Sequence, residues 1–224
     1  MGKVVTVSEA REIQLELRER VVFEPPAGFM PRRVAGADAA FDKPRNLAFG
    51  AVVVIDLETM ETVQTASAAV PITFPYVPGY LSFRELPALE AAWEQLSQKP
   101  DMVVLDAHGY AHPRRMGLAS HAGVVFNLPT IGCAKSILCG KVGPLPEERG
   151  ATAPLVDPLT GEELGLALRT RTRVRPVFLS IGHLIDLPTA VELILRLTPA
   201  GRYRFPETTR RADRLAGDLK RARV

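Results

Sequence analysis

Residues 34–70, VAGADAAFDKPRNLAFGAVVVIDLETMETVQTASAAV, contain three apolar runs separated by two short polar turns. The runs are Val34–Phe41, Leu47–Leu57 and Thr62–Val70, and the turns between them are DKPRN and ETME. Short polar turns between apolar runs are typical of an antiparallel meander. We therefore predict that this stretch forms three consecutive antiparallel strands of one sheet.

The segments around this meander alternate between helical and extended patterns. Thr6 and Glu9 form a capping-box signature, which predicts a helix over residues 7–22. Further helices are predicted over Phe83–Leu96, Met116–Phe126, Pro188–Leu197 and Glu207–Ala222, and further strands over Met102–Leu105, Thr130–Ala134, Leu164–Thr170 and Pro176–Ser180. Helices between strands supply the crossovers that parallel pairing requires. The sequence thus predicts a single α/β domain over residues 1–224, with a mixed sheet flanked by helices.

The composition is that of a folded chain without a disulfide framework or a membrane span. Of the 224 residues, 46% are hydrophobic and 24% are charged, which excludes a disordered protein. Two cysteines cannot form a disulfide scaffold, the N-terminal stretch lacks the apolar core of a signal peptide, and no apolar run is long enough to span a bilayer. We expect a cytoplasmic, monomeric protein with no membrane partner.

Basic residues are concentrated near the C-terminus and in one short motif. Residues 202–224 hold eight basic and three acidic residues, although the whole chain has a net charge of only +3. In RTRTRVR, residues 169–175, every second residue is an arginine, and in a strand all four would share one face. Such a face is either a solvated edge strand or a stripe that follows nucleic-acid phosphates, and charge alone leaves both interpretations open.

Three acidic residues occupy positions that favour a chemical role. Asp38 lies inside an apolar strand pattern, Asp106 directly follows the apolar run MVVL, and Glu85 lies at the start of a predicted helix. Each alone has an ordinary explanation, as a solvent-facing strand residue, a turn residue or an acid that compensates a helix dipole. Together they would form an oxygen-rich cluster of the kind that Mg²⁺ or Mn²⁺ prefers.

The loop after Asp106, AHGYAHPRR, is rich in basic and hydrogen-bonding groups. His108 and His112 have the spacing of a zinc site on a helix, but the glycine between them and the proline that follows disfavour a helix. The loop is better suited to orienting a water or a phosphate. Lys135 and His183 each follow a predicted strand and could reach the same site, although a surface lysine and a structural histidine are equally ordinary interpretations.

A proline-rich loop, PYVPGY at residues 75–80, holds Tyr76 between Pro75 and Pro78. Proline fixes the backbone angle φ, so the aromatic side chain has few conformations available. A rigid aromatic residue on a projecting loop is what a base-unstacking wedge requires. The same segment could also pack against its own domain.

Several motifs, in this order along the chain, resemble those of the endonuclease V family, the deoxyinosine 3′-endonucleases. They are VAGAD ending at Asp38, PYVPGYLSFRE ending at Glu85, LDAHGYAHPRRMGLASH around Asp106, IGCAKS around Lys135, SIGH ending at His183, and RADRLA near the C-terminus. The resemblance covers nearly the whole chain. It implies a ribonuclease H-like fold, in agreement with the predicted meander and crossovers.

The resemblance also implies a reaction and a set of site residues. The reaction is hydrolysis of the second phosphodiester bond on the 3′ side of deoxyinosine in DNA, leaving 3′-hydroxyl and 5′-phosphate ends, with Mg²⁺ as cofactor and Mn²⁺ as a substitute. The metal ligands would be Asp38, Glu85, Asp106 and His183, and the three carboxylates would act in catalysis with His112 and Lys135. The substrate-binding residues would be Tyr76, Pro75, Pro78, Arg84, Ala107 and Gly109.

Two positions depart from the family's pattern. The family's DGHG is DAHG here, so Ala107 replaces a glycine beside the implied base pocket, where an added methyl group bears on base specificity. Cys133 stands where the family usually has valine, a small change at a buried position.

Two alternative functions remain open. The same chemistry could act on inosine-containing RNA, or the protein could stack Tyr76 into distorted nucleic acid without cutting it. The acidic residues at all three implied metal positions argue against the second alternative.

Overall fold

The computed structural model describes residues 5–222 and contains one nine-stranded sheet with the strand order β3-β2-β1-β4-β5-β9-β8-β7-β6. The strands are β1 Arg33–Asp42, β2 Leu47–Asp56, β3 Thr62–Pro71, β4 Met102–Leu105, β5 Thr130–Ala134, β6 Lys141–Val142, β7 Thr152–Val156, β8 Glu163–Leu168 and β9 Val177–His183. The helices are α1 Val7–Leu17, α2 Leu81–Glu94, α3 Leu118–Phe126, α4 Leu187–Arg196 and α5 Glu207–Arg221.

The sheet confirms the predicted mixture of antiparallel and parallel pairing. Strands β1, β2 and β3 form an antiparallel meander, and β4 and β5 continue the sheet in parallel beside β1. Helix α2 connects β3 to β4, and α3 connects β4 to β5, as crossovers between parallel strands require. All four residues of β4 are buried, which is why the run MVVL has no polar member.

Helices cover both faces of the sheet. On one face, α2 and α3 pack against alternate residues of β1 and β4, such as Ala35 and Val103. On the other face, α4 and α5 pack against the intervening residues, such as Val34 and Val104. Glycine is required where α5 crosses β1, because a Cβ atom on Gly36 would lie 2.2 Å from the carbonyl carbon of Thr208. The helix backbone therefore approaches β1 closely just before the position of Asp38.

The N-terminal helix is shorter than the sequence predicted. The capping box is present, since Thr6 Oγ1 accepts a hydrogen bond from Glu9 N, but α1 ends at Leu17. A 3₁₀ turn, Arg18–Arg20, takes the place of the last predicted turn. Among residues 5–222, none of the helices combines the length and the apolar character needed to cross a bilayer.

Residues 169–175 do not form the strand that would bring their four arginines onto one face. Strand β8 ends at Leu168 and β9 begins at Val177, so this segment is the turn between them. Arg173 has a positive φ of 60°, and the Arg169 guanidinium donates hydrogen bonds to the backbone carbonyls of Pro146 and Val174. Because the segment is a turn, the alternating arginines do not form the common face that a strand would give them.

Candidate active site

Asp38 and Asp106 lie side by side on adjacent parallel strands. In the register of β1 and β4, Ala37 pairs with Leu105, so Asp38 and Asp106 are each the next residue along. Neighbouring strands are about 4.8 Å apart. Residue parity places Asp38 on the face of β1 that Val34 and Gly36 share, which is the face covered by α5. The sequence prediction that these two carboxylates meet is therefore realised by the β1–β4 pairing.

Two further carboxylates come from helices on opposite faces of the sheet. Glu85 lies just after the first turn of α2, and the charges of Asp38 and Asp106 act on it. Asp213 lies on α5, and its charge acts on both strand aspartates. The four carboxylates thus surround the C-terminal end of β4 and the adjacent middle of β1.

Asp213 was given no role by the sequence analysis, although it lies within the quoted motif RADRLA. The helical spacing of Thr209, Ala212 and Ala216 could have indicated the buried face of α5. Asp213 lies next to that face. Thr208 packs over Gly36, and five residues along α5 advance about 7.5 Å. Two residues along β1 advance about 7 Å, which brings Asp213 above Asp38.

Burial and mutual repulsion raise the pKa values of the strand and α2 carboxyl groups. Burial, together with the nearby Asp106 and Asp213, raises the pKa of Asp38 to about 7. Burial, with Asp38 and Asp106, raises the pKa of Glu85 to about 8. Burial also raises the pKa of Asp106, although its ion pair with Lys135 opposes this effect. A cation placed among these groups would favour their ionised forms.

The donor chemistry fits a hard divalent cation. The cluster offers four carboxylates and no thiolate, a set that Mg²⁺ and Mn²⁺ prefer. Over residues 5–222, however, no three His, Cys, Asp or Glu side chains already converge closely enough to enclose an ion. Lys135 Nζ is paired with Asp106 Oδ2 in this arrangement. Shared binding of one ion therefore requires side-chain rotations that bring the carboxylates together and release Asp106 from Lys135.

The prediction of His183 as a metal ligand is wrong for this arrangement. Strand β9 runs antiparallel to β5, so His183 pairs with Thr130 at the start of β5, whereas Lys135 directly follows the other end. Thr130 and Ala134, at the two ends of β5, are four residues apart, which corresponds to about 13 Å. His183 is buried, and its Nδ1 accepts a hydrogen bond of 3.2 Å from Val22 N. Its role is to fasten the segment after α1 to the sheet.

A cavity of about 300 Å³ opens beside Asp106. Its walls come from the proline-rich loop, the loop after Asp106 and the segment after β5, and they include Pro78, Gly79, Ala107, His108, His112, Lys135 and Leu138. Its volume is at the lower end of the range for small-ligand sites. Tyr76 stands at the rim and is 69% exposed, so it projects from the protein and does not pack against it.

His112 fixes the cavity wall as a neutral imidazole. Burial, with the positive charge of Arg114, lowers the pKa of His112 to about 4. Its Nδ1 accepts a hydrogen bond of 3.2 Å from Arg114 N, so Nε2 carries the proton. Nε2 donates it to the carbonyl of Gly79 at 3.0 Å. This bond joins the loop after Asp106 to the loop that carries Tyr76.

Three predicted substrate-binding residues lie away from the cavity. Arg84 donates a hydrogen bond of 2.7 Å to the Phe74 carbonyl and stacks on a neighbouring ring, and Pro75 lies beside it in a separate shallow depression. Gly109 donates its N–H to Ser180 Oγ at 2.8 Å, deep under the sheet edge. Arg84 and Gly109 therefore support the two loops, while Ala107, Pro78 and Tyr76 border the cavity.

Comparison with known proteins identifies the family of this chain. Residues 15–214 match the sequence model of the family described as Endonuclease V. The chain belongs to the endonuclease V family. The endonuclease V of Myxococcus xanthus is 55% identical over 97% of this chain and 91% of that protein. Membership makes this chain a nuclease and explains why acidic side chains gather at one edge of its sheet.

Solved endonuclease V structures have the same fold. The enzyme from Streptomyces avermitilis superposes with a TM-score of 0.91 at 47% identity, over 98% of this chain and 96% of that one. The endonuclease V of Ciona intestinalis, solved with a 24-mer DNA containing an inosine followed by a ribo-adenosine, gives a TM-score of 0.81 at 27% identity, over 96% and 98% of the two chains. The predicted ribonuclease H-like fold is thereby confirmed.

Proposed function

We propose that this endonuclease V hydrolyses the second phosphodiester bond on the 3′ side of deoxyinosine in DNA, with Mg²⁺ as cofactor and Mn²⁺ as a substitute. The observation that carries the proposal is the position of the cavity, which shares Asp106 and Lys135 with the carboxylate cluster. The Ciona relative, solved with inosine-containing DNA, supports the substrate.

The cavity is suited to an everted base. Its lining is mostly apolar, and backbone groups beside Asp106 supply the polar contacts that a base edge needs. Tyr76 projects from the rim, where it would fill the space that the everted base leaves in the stack. Ala107 lies in the wall but is only 5% exposed and belongs to the hydrophobic core on that face of the sheet.

Asp38, Glu85, Asp106 and Asp213 would hold the divalent cation. When bound, such a cation polarises a phosphate and lowers the pKa of a coordinated water. The carboxylates would keep the cation beside the C-terminal end of β4, and the raised pKa values of Asp38 and Glu85 support a site for positive charge there. No thiolate takes part, since burial raises the pKa of the nearby Cys133 far above its usual range.

Lys135 and His112 have separate tasks in this proposal. Lys135 places a positive charge beside Asp106, and in the metal-bound protein its ammonium would bind a phosphate oxygen. His112 is neutral at physiological pH and is committed to the Gly79 carbonyl, so it maintains the shape of the base cavity and transfers no proton. Base recognition and bond cleavage thus use adjoining but different groups.

A second candidate substrate is inosine-containing RNA. The DNA bound by the Ciona relative contains an inosine followed by a ribo-adenosine. A comparison of single-stranded DNA and RNA, each with one inosine and the same sequence, would separate the two substrates.

A nicking assay on a duplex with one inosine, with products sized at nucleotide resolution, tests the proposal. We expect one cut strand whose 5′ fragment ends one nucleotide beyond the inosine, in Mg²⁺ and not in EDTA. Asp38→Ala should abolish the cut and retain binding to the inosine duplex. Substantial cleavage by Asp38→Ala, or uncut DNA with the wild-type protein in Mg²⁺, would refute the proposed reaction.

A further inference from the structure

Arg204 places a guanidinium group beside the active site, where the charge of Asp106 acts on it. Its Nη2 donates a hydrogen bond of 2.8 Å to the backbone carbonyl of Lys135. Its Nε is buried and has no hydrogen-bond partner, and across residues 5–222 the side chain forms no ion pair. Burial lowers the pKa of Arg204, and the nearby Arg175 lowers it further. An arginine held in this way is suited to an anion that arrives from outside.

The position of Arg204 is fixed from two sides. Thr170 Oγ1 donates a hydrogen bond of 2.7 Å to the Arg204 carbonyl, and Thr170 is fully buried. The Arg204 guanidinium lies 4.6 Å from the centre of the Phe205 ring, and Lys135 Nζ lies 5.6 Å from the same centre. The ring therefore holds two cations close together.

Arg175 completes a cationic surface at the junction of β5 and β9. It is exposed, lies two residues before β9, and forms no ion pair within the described part of the chain. Its charge acts on Arg204. We refer to Lys135, Arg175 and Arg204 together as the cationic ledge. One arginine of the RTRTRVR motif thus reaches the active site, although the motif forms no strand.

The cationic ledge begins at Lys135, which borders the base cavity, and extends to Arg204, which does not line it. The cavity is bounded by the starts of α2 and α3, which cover one face of the sheet. Arg204 directly precedes α5, which covers the other face. Asp106 is at the edge between them. A DNA strand whose everted base lies in the cavity and whose scissile phosphate lies at the carboxylates therefore continues onto the cationic ledge.

We infer that Arg204 and Arg175 bind backbone phosphates of the cut strand on the 3′ side of the scissile bond. The inference rests on the proposed function for its direction, because a cut on the 3′ side of the inosine sends the 3′ nucleotides away from the cavity. A planar guanidinium can hold two oxygens of one phosphate, which fixes the strand along its length. The ledge thereby sets the distance between the everted base and the bond that is cut.

A scan with neutral methylphosphonate linkages tests this inference without cleavage. Single linkages at successive phosphates around an inosine would be compared for binding to wild-type protein and to Arg204→Met in EDTA. Wild-type binding should weaken about tenfold when the phosphate that Arg204 contacts is neutral. Arg204→Met should bind the unmodified duplex about tenfold more weakly and lose nothing further at that phosphate, which should lie 3′ of the scissile bond.

Matched variants separate this contact from general charge and from folding. Arg173→Met removes an arginine of the same turn that is 82% exposed and paired with Glu147, and it should match the wild type at every linkage. Arg204→Lys keeps the charge and should retain the salt dependence, whereas Arg204→Met should reduce the slope of log K against log salt by about 1.

The inference would be overturned if Arg204→Met responded to every neutral linkage as the wild type does, or if its missing contact lay 5′ of the inosine. This outcome is independent of the nicking reaction, since binding is measured without a divalent cation. A protein that cuts correctly but shows no Arg204-dependent phosphate would leave the proposed function intact and remove the ledge from it.

Discussion

The side-chain amide of Gln14, on α1, donates a hydrogen bond of 3.1 Å to the backbone carbonyl of Gly79, in the loop that carries Tyr76. The same amide donates to the Met116 carbonyl at 2.9 Å, and its oxygen accepts from Arg114 Nε at 2.6 Å. Gln14 is almost fully buried. One glutamine therefore joins the N-terminal helix to both loops that line the base cavity.

Replacement of Gln14 should loosen both loops together. Gln14→Leu removes three hydrogen bonds and leaves the Met116 carbonyl and Arg114 Nε without these partners, so we expect the free energy of unfolding to fall by about 2–4 kcal/mol. We also expect weaker preference for inosine over normal DNA. Urea unfolding and competition binding would measure both effects. Gln98→Leu, at an exposed glutamine, serves as the control, and an unchanged preference in Gln14→Leu would show that the loops hold their positions without α1.

Tyr76 should contribute to discrimination and not to metal binding. Because its ring is 69% exposed at the cavity rim, Tyr76→Ala should fold normally and reduce the preference for inosine over adenine at the same site. Stacking on one base is worth about 1–3 kcal/mol, so the reduction should be about tenfold or more. Tyr76→Phe keeps the ring and should behave as the wild type. Equal discrimination by the alanine variant would exclude the wedge role.

Asp213 should be required for cleavage. Asp213→Asn removes a charge that acts on both strand aspartates, so we expect nicking to fall about 10²-fold or more while binding to the inosine duplex is retained. Single-turnover nicking and binding assays would measure the two properties. Asp218→Asn changes an exposed aspartate of the same helix and should have no effect. Full activity in Asp213→Asn would remove α5 from the catalytic cluster.

Glu85 should destabilise the metal-free protein at alkaline pH. Its pKa is about 8 in the folded protein and near 4.5 when unfolded, so the folded state binds more protons between these values and loses stability as the pH rises through them. In EDTA at pH 8, Glu85→Gln should therefore raise the free energy of unfolding by about 1–3 kcal/mol. At pH 4 the Glu85 carboxyl is mostly protonated in both the folded and the unfolded protein. The difference in the free energy of unfolding between the wild type and Glu85→Gln should therefore disappear.

Urea unfolding at the two pH values measures this effect, with Glu12→Gln as an exposed control. His112 and His121 have lowered pKa values and reduce stability at acid pH, but they are common to all the variants and cancel in the comparison. A Glu85→Gln protein that is less stable than the wild type at pH 8 would contradict the assigned charge environment.

The parts of this structure that sequence analysis predicted correctly depend on local patterns. Apolar runs and short turns predicted the β1–β2–β3 meander, and the run before Asp106 predicted a buried strand. The meeting of Asp38 with Asp106 follows from parallel pairing of their strands. These features need only the alternation of buried residues and the rule that parallel strands require crossovers.

The errors concern features set by the direction of a distant strand or by helix packing. His183 follows the apolar pattern of β9, but the antiparallel pairing with β5 carries it away from the site. Arg169 and Arg173 have the alternating spacing of a strand. In the structure, the Val174 carbonyl of the turn accepts a hydrogen bond from Arg169, and Arg173 has a positive φ. Asp213 depends on the close approach of α5 to Gly36, which no local pattern of α5 contains.

The location of a bound divalent cation tests the central claim most directly. Crystals of the wild-type protein grown with Mn²⁺ would be measured for anomalous scattering, with Asp38→Asn crystals as the matched control. The account predicts an anomalous peak within coordination distance of Asp38 and Asp106 oxygens, with Lys135 Nζ displaced from Asp106, and a lost or weakened peak in the variant. An empty carboxylate cluster at saturating Mn²⁺, in a protein that nicks inosine DNA under the same conditions, would contradict it.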